Sequence, residues 1–224
     1  MLTGHSLATA GAKALDVLGY RRMLRIEWAM EWGTRGLAPR EGLRIEPATL
    51  AEFATLRGHP TPMAEAERRC AAGQRIFGVW HEGRMVYASW LATGSIYQPY
   101  LRTVLPLGPR DIYQYESWMV PELRGAGLAS QTSIALLRLA EEEGINRLVT
   151  HVWPDNVVSL RLVYRNLGRA TGVDMAFRLP GGRVVHVYRP WKEPLVAWEK
   201  PSGLVGRARH LWFVRYALAR AGSA

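Results

Sequence analysis

Residues Val120–Ser130 read VPELRGAGLAS and stand between a strand-like and a helix-like segment. The start of a helix leaves backbone N–H groups without intrahelical partners and carries about half a positive charge, so an anion is welcome there. Gly125 and Gly127 remove side chains at this junction, Ala129 keeps the next position small, and Arg124 offers a planar fork of donors. Such a corner suits a pyrophosphate, although the same two glycines would also serve a plain tight turn. No G-x-x-x-x-G-K-[ST] run occurs, which excludes a Walker-type loop. Ser130 stands where a dinucleotide fingerprint would need its third glycine, and more than half the chain precedes the motif.

The elements around the motif alternate. Leu43–Glu46 reads as a strand, and Thr49 with Glu52 has the capping-box spacing ahead of a helix containing Phe53 and Leu56. A second helix follows Thr61 and Pro62 and stops near Gly73. RIFGVW and RMVYASWLA, joined by a glycine-bearing turn, form a hairpin, and Ser95–Pro109 is an irregular strand or substrate loop. DIYQYESWMV is the strand before the motif, and Leu128, Thr132, Leu136 and Leu139 share one face of the helix after it. INRLVTHVW is a strand, DNVVSLRLVYRNLG a short helix, and VDMAFRLPGGRVVHVYRPW a hairpin. Residues 1–42 are expected to be a helical extension, with Ala14, Val17, Leu24 and Trp28 near one stripe and a glycine-rich linker at its end. The tail 192–224 is basic and carries an amphipathic helix with Leu204, Leu211, Val214 and Leu218 on one stripe, docked on the domain or lying on a membrane or partner.

Taken together, Pro121, Arg124, Gly125, Gly127 and Ala129 after the hydrophobic Met119, with Asn156 and Ser159 and then Tyr164 and Gly168, resemble the acetyl-coenzyme A motif of the GNAT N-acetyltransferase superfamily. The resemblance covers roughly residues 43–191 and neither end extension. It implies an α+β fold of three layers: a central, mostly antiparallel twisted sheet of six to seven strands, splayed at the acyl-CoA site. It also implies that the pyrophosphate takes backbone donors from Arg124, Gly125, Ala126, Gly127, Leu128 and Ala129, that the pantetheine pairs with main chain at Met119 and Val120, and that Asn156 contributes to cofactor binding. In the family the asparagine-to-tyrosine step is usually seven residues. Here it is eight, so the helix starts later, carries a bulge, or points Tyr164 elsewhere.

Such enzymes hold an amine against a thioester, so they need a neutral acceptor, donors for the oxyanion and a proton for the thiolate. Tyr164 is the candidate acid, and Glu116, on the strand before the motif, the candidate base, with Asp111 and His151 as rivals and ordered water as a fourth option. The expected reaction is acetyl transfer from acetyl-CoA to a primary amine of a small molecule or peptide. A long-chain acyltransferase fed by acyl carrier protein and a non-catalytic CoA-binding module are the alternatives.

A formal charge of +10 favours anionic partners. The basic residues are dispersed with no aromatic-basic ribbon, so nucleic acid is not expected. The six histidines are scattered, so no metal is expected, and one cysteine, Cys70, rules out an internal disulfide framework. The N-terminal stretch lacks the pattern of a secretory leader, which makes a cytoplasmic protein, with membrane-peripheral contact through its end helices, the expectation.

Overall fold

The computed structural model describes residues 20–29, 42–153, 156–166, 168–178 and 184–195. In chain order these form β1 (Tyr20–Ala29), β2 (Leu43–Ala48), α1 (Leu50–Phe53), α2 (Met63–Ala71), β3 (Arg75–His81), β4 (Arg84–Thr93), β5 (Ile96–Gln98), β6 (Thr103–Leu105), β7 (Asp111–Met119), α3 (Leu128–Glu142), β8 (Arg147–Val152), α4 (Val157–Arg165), β9 (Arg169–Arg178) and β10 (Val184–Leu195). The capping box forms as its spacing predicts. The Thr49 hydroxyl accepts from the Glu52 N–H, and the Glu52 carboxylate accepts from the Thr49 N–H.

Among the described residues eight strands make one sheet in the order β10-β9-β1-β8-β7-β4-β3-β2, and β5 with β6 forms a separate hairpin. Neighbours run antiparallel except β7 and β8, which are parallel. On one face α3 and α4 pack Leu136, Leu137, Leu160 and Val163 against Leu24, Ile26, Ile112 and Leu148. On the other, α1 and α2 set Phe53, Leu56 and Ala66 against Trp80 and Trp90. The ambiguous stretch before β7 also resolves there: its Ile96, Leu101 and Leu105 are buried on Ala92, Tyr113 and Val149, each worth about 1.5–3 kcal/mol.

The expected helix over the N-terminal segment is corrected at residues 20–29, which are a strand between β8 and β9. Leu24 and Trp28 are four apart, a spacing that fits one helical face and also one strand face. Ile26 lies between them and is fully buried in the same cluster, which only a period of two allows. The boundary at residue 42 therefore cuts a strand from its own sheet. At the other end β10 continues to Leu195, past the expected boundary at 191. The expectations for residues 1–19, for linker residues 31–41 and for the amphipathic tail helix lie outside the described residues.

Candidate functional site

Parallel strands β7 and β8 are paired from Asp111 opposite Arg147 to Gln114 opposite Thr150, and part beyond that point. Just past the last pair, β7 bulges: its register against β4 shifts between Ala88 and Trp90, and Glu116 takes φ 47°. A non-glycine residue held there costs of order 1 kcal/mol or more, and the bulge aims the carboxylate at α2.

The same strand then delivers the anion corner. Pro121–Leu123 is one 3-10 turn, Gly125 has φ 86° and Gly127 φ 81°, and Gly127 is the N-cap of α3 with no side-chain cap. Ser130 and Gln131 donate to the Gly127 carbonyl, so the N–H groups of Leu128 and Ala129 precede the first helical bond and point out of the helix start. The Ala126 N–H is bonded to Leu123. A Cβ at Gly125 or Gly127 would meet nothing within 4 Å, so what demands glycine here is backbone conformation and open approach. Leu128 turns its side chain into a small core with Val79, Val86 and Tyr87, which anchors the first turn. Arg124 is exposed, its guanidinium 4.7 Å above the Trp118 ring and its Nε bonded to the Met119 carbonyl at 3.2 Å. The N–H of Val120 donates to Val86 and its carbonyl accepts from Leu123. Backbone groups alternate sides along a strand, so the Met119 main chain faces the parting of β7 and β8, whereas that of Val120 is already used.

Glu116 is held firmly. Its two oxygens accept from Arg69 at 2.6 and 3.0 Å, and one also accepts from the Thr61 hydroxyl at 3.3 Å. Arg69 is buried, bonded to Glu65 as well, and stands 5.1 Å from the ring centres of Trp90 and Tyr115. Burial by itself pulls the Arg69 guanidinium down, but its bonds to Glu116 and Glu65 outweigh that and raise it. Glu116→Gln is expected to cost about 1–3 kcal/mol of stability by urea denaturation, because it removes the charge from a bidentate bond to a buried cation. A loss below a few tenths of a kcal/mol would mean that Glu65 alone satisfies Arg69.

The helix α4 begins directly after Asn156, whose Oδ1 accepts from the Ser159 N–H at 3.1 Å and so caps it. Tyr164 lies in the last turn of α4, and its side chain is outside the described residues. Asp111 sits at the closed end of the β7–β8 pair, bonded to Arg147 and to the Gly108 N–H, away from the parting. His151 is the first β8 residue past the last pair, and its side chain points to the α1–α2 face into a cluster that the sequence reading missed. There Asp174 of β9, fully buried, accepts from Arg25 of β1 at 2.8 Å twice, from His151 at 2.8 Å and from His186 of β10 at 2.7 Å. Tyr113 of β7 bonds the other His151 nitrogen at 2.8 Å. On the opposite face buried Asn166 accepts from Ser130 of the first α3 turn, and its carbonyl accepts from Trp28. Only alternation in DIYQYESWM hinted that Tyr113 and Tyr115 share a face. Charge partners so far apart in sequence leave no local signal.

Among the described residues no group of three His, Cys, Asp or Glu could hold a metal ion, and no described helix is long and apolar enough to cross a membrane. Comparison with known proteins bears on the family. A GNAT-family acetyltransferase structure from Novosphingobium aromaticivorans superposes with TM-score 0.48 at 17% identity, covering 70% of this chain and 62% of that one. A Drosophila protein structure gives 0.50 at 12% identity over 75% of this chain and 55% of its own. A GCN5-related glucosamine N-acetyltransferase region in a fungal multi-domain GH3 β-N-acetylglucosaminidase gives 0.50 at 12% identity, over 80% and 23%. The chain thus spans less than two thirds of each of these proteins, and at 12% identity the two that reach 0.50 speak for the fold alone. No curated protein matches the sequence. The sequence profile of the acetyltransferase (GNAT) family, however, matches residues 46–168, more than half of the chain, from β2 through the anion corner to the glycine after α4. The chain belongs to the GNAT family of acetyltransferases.

Proposed function

We propose that this protein transfers an acetyl group from acetyl-CoA to a primary amine by direct attack within a ternary complex. The observation that carries the reading is the uncapped helix α3, started by left-handed Gly127, at the end of a strand that parts from its parallel neighbour. In this proposal the amides of Gly125, Gly127, Leu128 and Ala129 and the Arg124 guanidinium receive the diphosphate, and Met119 main chain pairs with the pantetheine arm. To do so Arg124 leaves both the Trp118 ring and the Met119 carbonyl, which frees that carbonyl for the arm. Asn156 is kept for positioning the arm through the helix it caps. The thioester then lies in the parting, beside the Glu116 bulge.

The chemistry asks little of the protein beyond placement. Tyr164 is the proposed donor to the departing thiolate. Glu116, with both oxygens already bonded to Arg69, has the task of orienting the acceptor's ammonium and not of deprotonating it. Ile96, Leu101 and Leu105 of the β5–β6 region are committed to the core, which supports a short acyl group over a long chain on a carrier protein.

Titration calorimetry with acetyl-CoA, followed by thiol release against glucosamine, an aminoglycoside, a polyamine, amino acids and a peptide N-terminus, tests this reading. Binding with turnover on at least one amine is expected. Tyr164→Phe should lower kcat about a hundredfold while leaving acetyl-CoA affinity unchanged. Absence of binding heat would sink the proposal, and unchanged kcat in the tyrosine variant would remove Tyr164 from it.

A further inference from the structure

We propose that Tyr113, backed by His151 and Asp174, takes the proton of the acceptor amine; the proposal rests on the acetyl-transfer reading above. Three observations converge. First, the chain of bonds has a defined direction. Asp174 is fully buried and bridged twice by Arg25, so it is a carboxylate that can only accept. His151 Nε2 must therefore carry the hydrogen between them, and in the neutral ring Nδ1 then offers a lone pair to the Tyr113 hydroxyl. Burial pulls His151 below its usual range more strongly than Asp174 raises it, which keeps that lone pair free.

Second, the place is right. Tyr113 and His151 flank the last rungs of the β7–β8 ladder, on the face that Tyr115 and Glu116 share. The Tyr113 and Tyr115 rings stack with centres 5.7 Å apart. Third, the phenol oxygen already receives a donor. Gln98 of the β5–β6 hairpin offers its amide N–H there at 3.2 Å, a long bond that leaves the position exchangeable. An acceptor's ammonium is the natural replacement, reached when the Gln98 side chain swings aside beneath the hairpin tip, whose Leu101 stays in the core. That tip rests on Trp153, with Tyr100 ring to ring at 3.9 Å, and Arg21 donates to the Tyr100 carbonyl.

In the step proposed, the ammonium proton goes to the Tyr113 oxygen while the Tyr113 O–H proton goes to His151 Nδ1. This leaves a neutral amine, an intact phenol and an imidazolium whose Nε2–H stays on Asp174. The amine lone pair forms the C–N bond to the thioester carbon as the C–S bond breaks; the departing sulfur takes the Tyr164 O–H proton, and the second nitrogen proton replaces it on the Tyr164 oxygen. The imidazolium proton returns through Tyr113 to water when products leave. Tyr113 is thus the catalytic residue of the set, and His151 and Asp174 are positioning residues. The charged and titratable groups facing His151 are Tyr113 from β7, Asp174 from β9, Arg25 from β1 and His186 from β10. Glu116, tied to Arg69, is not among them.

Two measurements test this on the full chain. Histidine 15N NMR, which needs no acceptor, should show one imidazole, absent in His151→Gln, that stays neutral with hydrogen on Nε2 well below pH 6.5. A ring protonated throughout, or one carrying its hydrogen on Nδ1, overturns the relay, since no lone pair would then face Tyr113. Kinetics with acetyl-CoA and the best amine of the panel should show Tyr113→Phe lowering kcat about a hundredfold, with acetyl-CoA affinity and melting temperature retained and the acidic limb of the pH profile lost. Equal kcat in Tyr113→Phe and wild type overturns the relay alone. A wild type that neither binds acetyl-CoA nor releases thiol overturns both the relay and the reading on which it rests.

Discussion

Asp174→Ala is expected to remove about 3–5 kcal/mol of folding stability, a large share of the 5–15 kcal/mol that a domain typically holds. The carboxylate accepts four hydrogen bonds from three strands, and its removal leaves the Arg25 guanidinium, stacked 3.7 Å from the Tyr188 ring, without a counter-charge. Replacement by asparagine keeps the shape but not the charge and should fall between alanine and wild type. Urea denaturation checks both, and a loss under about 1 kcal/mol for alanine would show that Arg25 reaches water. The same group makes the native protein acid-sensitive. Burial would raise the Asp174 carboxyl, but its bonds to His151 and Arg25 dominate and hold it well below the ordinary range. A group depressed on folding stabilises above its unfolded value and loses that contribution as pH falls, here below about pH 4. His151 is depressed as well, by burial, so its contribution starts to fade earlier, below about pH 6.5. Melting temperature should therefore drop in two stages on acidification, and His151→Gln should abolish the first.

Replacing Gly125 and Gly127 together by alanine is expected to weaken acetyl-CoA binding about tenfold to a thousandfold, with melting temperature nearly unchanged. A left-handed alanine costs roughly 1–2 kcal/mol, and each 1.4 kcal/mol is a factor of ten. The strain should appear in affinity because the loop is exposed and packs on nothing at either glycine. The free protein can relax it, and the ligand must restore it. Calorimetry beside thermal denaturation separates the cases: a lower melting temperature with intact affinity would make these glycines part of an ordinary turn.

Much of this site is legible in the sequence because its parts are local. The proline, arginine and glycines of the anion corner occupy neighbouring positions, and a helix start needs no distant partner to attract phosphate. The capping box at Thr49 and the helix from Leu128 are local for the same reason. What escaped was non-local. Leu24 and Trp28 fit either period, and the strand that contains them is fixed only by β8 and β9, more than a hundred residues away. Arg25 carries no local signal, because its partner Asp174 lies 149 residues away. Glu116 looked like a free base on a strand, but the register shift that turns it to Arg69 depends on β4.

Strand β1 also bears on how the molecule comes into being. It precedes every other described strand, yet both its neighbours follow more than a hundred residues later: Leu24 lies opposite Val152 on one side and Val173 on the other. During synthesis its hydrogen-bonding edges must wait, unpaired, until β8 and β9 have emerged, and assembly dominated by such distant pairings is slow. Expressing only the stretch that matches the family, residues 46–168, would omit this strand together with β9 and β10 and leave β8 an open edge.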